Sequence, residues 1–130
     1  MIQKKIILDA SALLALLQEE KGAGFVMDLI EHGASMTTLN LAEVTCKLYG
    51  KQYSKSEIDS CINELPINFI PITREIAELA ASYYVYTKSF GLSLADKICL
   101  AAGKLGGYTV VTADKIWEKL DLAIDIKVIR

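Results

Sequence analysis

The chain has 130 residues, of which 52% are hydrophobic and 23% are charged. It is therefore expected to bury a sizeable core as one domain spanning residues 1–130, and not to be disordered. The formal net charge of -2 excludes the broad basic surface that binds duplex DNA through phosphate neutralisation. A nucleic-acid substrate is still compatible with this charge if a bound divalent cation supplies the local positive charge.

The first half of the chain predicts two strands and three helices. A short aliphatic run before Asp9 is typical of a buried parallel strand, and Ser11 is a candidate cap for the helix that follows. In chain order, the predicted elements are a strand over residues 5–8, a helix over 11–17, a helix over 22–31 that ends at His32-Gly33, a strand over 35–38 and a helix over 40–50 that Asn40 opens.

The second half continues the alternation of strands and helices. Pro71 predicts the end of a strand or an edge strand, and Gly91 is expected to stop a long helix that Thr73 caps. The predicted elements are a helix from Ser54 or Ser56 to about residue 65, a strand over 67–72, a helix over 73–90, a helix over 93–105, a strand over 108–111, a short helix over 114–120 and a strand over 124–129.

Regular alternation of strands and helices is typical of an α/β fold. We therefore predict a three-layer α/β/α sandwich with a central, mostly parallel sheet. In such a fold the strand ends and helix starts gather at one edge of the sheet, where ligands bind.

The cysteine pattern and the apolar runs bear on the compartment. The three cysteines, Cys46, Cys61 and Cys99, are odd in number and lack close metal-ligand spacing, which favours free thiols in a reducing compartment. Cys46 and Cys99 are expected on apolar helix faces. The first apolar run is too short for a secretory signal, and no apolar stretch is long enough to span a bilayer. These features predict a cytoplasmic protein without a membrane segment.

Four acidic residues stand where a predicted strand ends or a predicted helix begins: Asp9, Glu43, Asp96 and Asp114. Each also has an ordinary structural interpretation. Asn40-x-x-Glu43 matches a capping box, which taken alone is the favoured interpretation for Glu43, and Ser93-x-x-Asp96 is similar. Asp9 and Asp114 could likewise be helix caps.

The common position of the four acids favours a shared site. Carboxylates gathered at one sheet edge repel one another unless a cation holds them, and hard cations such as Mg²⁺ or Mn²⁺ prefer oxygen ligands. Helix N-termini also help to keep carboxylates ionised. Such a site is suited to hydrolysis of a phosphoryl group by an activated water.

Four segments together resemble the motifs of the PIN-domain ribonucleases. They are Ile6-Ile7-Leu8-Asp9-Ala10-Ser11-Ala12-Leu13-Leu14, Asn40-Leu41-Ala42-Glu43-Val44, Gly91-Leu92-Ser93-Leu94-Ala95-Asp96 and Thr109-Val110-Val111-Thr112-Ala113-Asp114. Their order and spacing cover nearly the whole chain. The compact length is most similar to the VapC-type toxins of prokaryotic toxin–antitoxin pairs.

The resemblance implies an Mg²⁺- or Mn²⁺-dependent endoribonuclease that acts on RNA, forms a homodimer and is inhibited by a small antitoxin. It assigns catalysis and metal binding to Asp9, Glu43, Asp96 and Asp114, with Thr112 and Ser11 as supporting hydroxyls. Many relatives carry a further acid two residues after the last one, where this chain has Ile116. The resemblance therefore does not fix the number of metal ions.

Two other functions fit an α/β chain with these acids. A receiver-like signalling domain also has an acidic pocket, but it needs an aspartate at a mid-sheet strand end, where this chain has Pro71-Ile72-Thr73. A catalytically silent binding module would keep the acids only as caps. Such a module would show no stabilisation by divalent ions, because a ligand that binds only the folded state must stabilise it.

A few other residues have two interpretations each. Basic residues near the acids could contact substrate phosphates, although solvated charges and local ion pairs are the favoured interpretation; they are Arg74, Lys47, Lys97 and Lys115. Tyr83, Tyr84 and Tyr86 cannot all face one core, so at least one is expected to be exposed or to contact a dimer partner or antitoxin.

Overall fold

The computed structural model describes residues 4–130. A five-stranded sheet forms its centre, with strand order β3-β2-β1-β4-β5 and every neighbouring pair parallel. β1 is the central strand, because its Ile7 pairs with both Ser35 and Val110. The strands are β1 (Ile6–Leu8), β2 (Ala34–Thr37), β3 (Ile67–Ile70), β4 (Thr109–Thr112) and β5 (Ile126–Val128). All five predicted strands are present within two residues of their expected positions.

Helices connect the strands as the sequence predicts. They are α1 (Ala10–Leu17), α2 (Ala23–Glu31), α3 (Thr38–Gly50), α4 (Lys55–Asn63), α5 (Arg74–Ser82), α6 (Tyr84–Thr87) and α7 (Leu94–Gly106), with 3-10 turns at Lys88–Phe90 and Lys115–Lys119. No helix within residues 4–130 is both long enough and apolar enough to cross a membrane.

Two hydrophobic cores cover the two faces of the sheet. Successive residues of a strand point to opposite faces, so Leu8 and Val111 join the core beneath α1 to α4. Ile7 and Val110 join the core beneath α5 and α7. Burial on both faces explains why the central strands are uniformly apolar, and it confirms the predicted α/β/α sandwich.

The strand order excludes the receiver-like alternative. Receiver domains have the doubly wound order 2-1-3-4-5, whereas this sheet has the order 3-2-1-4-5. The expectation that Pro71-Ile72-Thr73 follows a mid-sheet strand is wrong, because β3 is an edge strand. The central strand is β1, which is followed directly by Asp9, so the strand order, and not a missing acid, excludes a receiver domain.

The single long helix predicted over residues 73–90 is wrong. The segment divides into α5, α6 and a 3-10 turn, with a break at Tyr83. Two hydroxyls compete for backbone carbonyls near the break, because Ser82 donates to Leu79 and Thr87 donates to Tyr83. Hydroxyl bonding of this kind bends helices. Thr73 does cap the segment, and Gly91 ends it in the left-handed conformation with φ of +69°.

The prediction for the tyrosines is confirmed, and one of the two cysteine placements is wrong. Tyr83 is buried, whereas Tyr84 and Tyr86 are exposed. Cys99 is buried as expected, but Cys46 is exposed. Position 46 lies off the apolar stripe that α3 forms with Val44 and Leu48, which are spaced four residues apart.

Candidate active site

One small pocket at the carboxyl edge of the sheet brings the four acids together. Its volume is about 140 Å³, and it is lined by Asp9, Glu43, Asp96 and Asp114 together with Ala10, Ser11, Leu14 and Lys47. The acids arrive from four separate elements. Asp9 precedes α1, and Asp114 follows β4. Glu43 lies in the second turn of α3, and Asp96 lies in the first turn of α7. The juxtaposition predicted from the sequence is therefore present.

Asp9 is the most deeply buried of the four, with 3% of its surface exposed. It caps α1 by accepting a 2.8 Å hydrogen bond from the Ala12 N–H. Its carboxylate also accepts bonds from the Ser11 hydroxyl at 2.8 and 2.9 Å and from the Thr112 hydroxyl at 2.6 Å. Burial raises the pKa of Asp9 to about 6, although these hydrogen bonds oppose the shift and the nearby Asp96 charge adds to it.

Ser11 does not cap α1, contrary to the prediction, because Asp9 takes that position. The Ser11 hydroxyl instead accepts a 2.9 Å hydrogen bond from the Ala113 N–H. Thr112 accepts one from the Asp114 N–H at 3.0 Å, and the two hydroxyls lie 3.2 Å apart. These bonds connect the end of β1 to the end of β4. The hydroxyls of Ser11 and Thr112 therefore hold the Asp9 carboxylate in place without the help of a metal ion.

Asp96 forms the capping box that its sequence pattern predicts. Its carboxylate accepts from the Ser93 N–H at 3.0 Å, and the Ser93 hydroxyl accepts from the Asp96 N–H at 3.1 Å. Partial burial raises the pKa of Asp96 despite these bonds, with a further contribution from the charge of Asp114. The cap and the site interpretations are therefore compatible, because capping leaves Asp96 in the shared pocket.

The predicted capping box at Glu43 is wrong. Thr37, the last residue of β2, caps α3 through a 3.1 Å bond from the Asn40 N–H, so the helix starts before Asn40. Asn40 is fully buried within the first turn. Its side-chain amide donates to Glu43 Oε1 at 2.7 Å, while its amide oxygen accepts from the Thr37 hydroxyl at 3.1 Å. Glu43 is thus oriented by a buried amide instead of by backbone at a helix start.

Asp114 is exposed and is the least constrained acid of the pocket. It caps the 3-10 turn that follows β4, where its side chain accepts from the Ile116 N–H at 3.1 Å. Its position on a short turn allows more adjustment than the helix and strand positions of the other three acids.

The negative potential of this pocket extends into the core. The pKa of the buried Cys99 thiol is raised well above its usual value, first by burial and then by the charges of Asp9, Asp96 and Glu43. Such a field attracts a cation, and all four candidate ligands are the oxygen donors that Mg²⁺ and Mn²⁺ prefer. Within residues 4–130, however, no three acidic, histidine or cysteine side chains converge closely enough to form a ready metal cage. The donors fit a hard cation that retains several waters.

Two residues of the site have roles that the sequence patterns did not reveal. Asn40 was expected to be a helix cap, and its buried contact with Glu43 depends on where α3 begins. Lys47 lines the acidic pocket and is also exposed, in agreement with its favoured interpretation as a solvated charge. The spacing of Glu43 and Lys47 was the available signal, because residues four apart share one face of a helix.

A sequence model of the PIN domain matches residues 6–122. The match covers most of the chain, so the chain belongs to the PIN-domain family. No curated protein matches the sequence.

Several solved structures share the fold at low sequence identity. A toxin–antitoxin complex from Klebsiella pneumoniae has 17% identity and a TM-score of 0.74, over 97% of this chain and 98% of that chain. VapBC2 from Rickettsia felis, bound to a promoter DNA fragment, has 14% identity and a TM-score of 0.71, over 95% and 97%. VapC20 of Mycobacterium tuberculosis, a toxin that cleaves the sarcin–ricin loop, has 15% identity and a TM-score of 0.68, over 88% and 94%.

Proposed function

We propose that this protein is a metal-dependent endoribonuclease that hydrolyses RNA phosphodiesters and acts as the toxin of a type II toxin–antitoxin pair. The observation that carries the proposal is the meeting of four acids from four elements in one pocket of a PIN fold. Capping alone would not require these carboxylates to share a pocket. The similar VapC20 is described as a cleaving toxin, which supports the same reaction class here.

Asp9, Glu43, Asp96 and Asp114 would hold one or more Mg²⁺ or Mn²⁺ ions. When bound, the ion would supply an activated water and neutralise charge on the phosphorus oxygens. Ser11 and Thr112 fix the Asp9 carboxylate, and Asn40 fixes Glu43, so these two ligands are oriented before substrate arrives. Lys47 lies in the same pocket and places a positive charge beside an entering phosphate.

The partners belong to the same proposal. Four large apolar side chains around α6 and the start of α7 are more than half exposed: Tyr84, Val85, Tyr86 and Leu94. Contiguous exposed apolar residues mark interaction surfaces. We assign this surface to contacts in a homodimer or with a small antitoxin, as the toxin–antitoxin complex of similar fold suggests.

Purified protein is expected to cleave RNA in Mg²⁺ or Mn²⁺ and to lose that activity when the ions are chelated. The assay would follow a structured RNA and a single-stranded RNA on denaturing gels, with DNA of the same sequence for comparison. Restoring Mn²⁺ after chelation should restore cleavage. Cleavage that persists at the same rate in excess chelator, or no cleavage of any RNA tested, would overturn the proposal.

Replacing Asn40 with alanine is expected to weaken Mn²⁺ binding about tenfold, the lower end of the effect of removing a residue that orients a metal ligand. The change removes the amide that donates to Glu43 and leaves the buried Thr37 hydroxyl without its acceptor. The free energy of unfolding should also fall by about 1–2 kcal/mol. Titration calorimetry with Mn²⁺ and urea denaturation measure the two effects.

Thr45→Ala is the matched control for Asn40. It removes a side-chain hydrogen bond on the same helix, from the Thr45 hydroxyl to the Ala42 carbonyl, without touching Glu43. Its Mn²⁺ affinity should equal that of the wild type. If Asn40→Ala bound Mn²⁺ as tightly as Thr45→Ala, Asn40 would have only a structural role.

A further inference from the structure

A second cleft adjoins the acidic pocket and has the opposite charge character. Its volume is about 260 Å³, and it is lined by Ser11, Leu14, Gln18, Glu20, Lys47, Lys51 and Arg130. Ser11, Leu14 and Lys47 also line the acidic pocket. The two spaces therefore adjoin each other, and Lys47 lies at the boundary between them.

The cleft concentrates positive charge in a protein that is acidic as a whole. It contains three cationic side chains and one carboxylate, whereas the chain has a formal net charge of -2. Arg130 is held by Glu20 at 2.6 Å. Neither Lys47 nor Lys51 forms an ion pair within 4.0 Å in the described part of the chain, residues 4–130. Neither of these two lysines is therefore paired directly with a protein carboxylate.

The lysines follow Glu43 along one stripe of α3, with Lys51 as the residue that caps its carboxyl end. Residues four apart on a helix are neighbours on its surface, so Glu43, Lys47 and Lys51 form a single row. At 1.5 Å per residue, Lys47 lies about 6 Å and Lys51 about 12 Å beyond Glu43 along the helix axis. The row leads from the acidic pocket into the cleft. A strand with successive phosphates needs positive charges placed in sequence in this way.

We propose that this cleft binds the backbone phosphates of the RNA strand adjacent to the bond that is cut, with Lys47 at the nearer phosphate and Lys51 farther along. This inference rests on the proposed nuclease function. It adds that the RNA strand extends from the acidic pocket into this cleft. Arg130, oriented by Glu20, offers a guanidinium fork that suits phosphate oxygens. Such contacts fix the position of the strand without reading its bases.

The salt dependence of RNA binding provides a direct test. Lys47→Gln and Lys51→Gln would be made in the Asp9→Asn background to prevent cleavage, and binding of a short labelled single-stranded RNA would be followed by fluorescence anisotropy at several salt concentrations. Each lost phosphate contact on a single strand should lower the slope of log affinity against log salt by about 0.7. Affinity at low salt should fall about fivefold for each substitution.

Lys104→Gln provides the charge-matched control. Lys104 is exposed in the last turn of α7, whereas Asp96 lies in the first turn. This lysine therefore lies at the opposite end of the helix from Asp96. Its substitution should leave both the slope and the affinity unchanged. A fall in slope for Lys51→Gln but not for Lys104→Gln supports the inference.

An unchanged salt slope in both cleft variants would overturn the inference, and so would a loss in Lys51→Gln no larger than that in Lys104→Gln. In the otherwise wild-type protein, Lys51→Gln should retain stabilisation by Mn²⁺; losing it would place the lysine in the metal site and also overturn the inference. Failure of the proposed function is distinguishable, because it appears as absence of metal-dependent cleavage by the wild type. With cleavage present and the slopes unchanged, the nuclease assignment stands and the cleft assignment fails.

Discussion

Asp9→Asn is expected to lower RNA cleavage by about 10³-fold or more, because it removes the most deeply buried charge from the proposed metal site. The fold should survive the change. The asparagine oxygen can still accept from the Ala12 N–H, and its amide can donate to the hydroxyls of Ser11 and Thr112 in place of the bonds that the carboxylate now accepts. Cleavage rates at saturating Mg²⁺ measure the effect.

The same substitution should stabilise the metal-free protein at neutral pH. The folded-state pKa of Asp9 is about 6 against an ordinary value of 3.8, so the folded protein binds a proton more tightly than the unfolded chain does. Stability from this group is therefore fully present below pH about 4 and is lost as the pH rises through about 6. At about 1.4 kcal/mol per pKa unit, the ionised Asp9 costs at most about 3 kcal/mol at pH 7.

Urea denaturation in excess chelator tests whether ionisation of Asp9 lowers the free energy of unfolding. Asp9→Asn should raise the free energy of unfolding by about 1–3 kcal/mol at pH 7.5 and by little at pH 4. Adding Mn²⁺ should reverse the order, because only the wild type would then gain the free energy of ligand binding.

Asp28→Asn is the matched control for Asp9. Asp28 is exposed on α2 and lines a separate cleft with His32 and Gly33. Its loss should change neither cleavage nor the response to Mn²⁺. Equal cleavage by the wild type and Asp9→Asn would exclude Asp9 from catalysis. A loss of stability in Asp9→Asn that is the same at both pH values would show that the hydrogen bonds of the carboxylate outweigh its burial.

The sequence patterns located the carboxyl edge of the sheet well because strand ends and caps are local features. The aliphatic run before Asp9 and the Ser93-x-x-Asp96 box both depend on residues within a few positions of one another, and both are present in the structure. Parallel pairing then brings these positions together. The four acids could therefore be predicted as one cluster without any knowledge of side-chain geometry.

The orientation of individual groups could not be predicted in the same way. Whether Asn40 caps α3 or lies inside it depends on Thr37, which ends β2 and starts the helix without an intervening loop. That difference of three residues turns Asn40 from a cap into a buried donor to Glu43. The break at Tyr83 could not be predicted either. Hydrogen bonds from hydroxyls to backbone carbonyls bend a helix but leave the apolar periodicity of its sequence unchanged.

The cleft beside the acids depends on tertiary packing between helices distant in sequence. Lys47 lies in α3 and Lys51 caps its carboxyl end, whereas Gln18 follows α1 and Arg130 follows β5. Only the packing of α1 against α3 converts a helical stripe of lysines into one wall of a groove. The four-residue spacing predicts that the lysines share one face of α3. It does not predict that Gln18 and Arg130 lie across from them, so a solvated face was the reasonable expectation.

Gly103→Ala is expected to destabilise the protein by about 1–3 kcal/mol despite the better helix propensity of alanine. A Cβ at position 103 would lie 2.4 Å from Val110 Cγ2 and 3.4 Å from Ile7 Cγ2. Both neighbours are fully buried in the centre of the sheet, so neither side chain can move into solvent. The helix must therefore move away from β1 and β4, or Val110 must leave its preferred rotamer.

Movement of α7 should also affect the candidate active site, because α7 carries Asp96 in its first turn. Lifting α7 from the sheet should displace Asp96 from Asp9 and reduce stabilisation by Mn²⁺, in addition to lowering the urea midpoint. Gly24→Ala is the control, since no atom lies within 4 Å of its added Cβ and alanine in α2 should stabilise by about 0.5–1 kcal/mol. If Gly103→Ala were as stable as Gly24→Ala, close contact between α7 and the sheet would not be what fixes the position of Asp96.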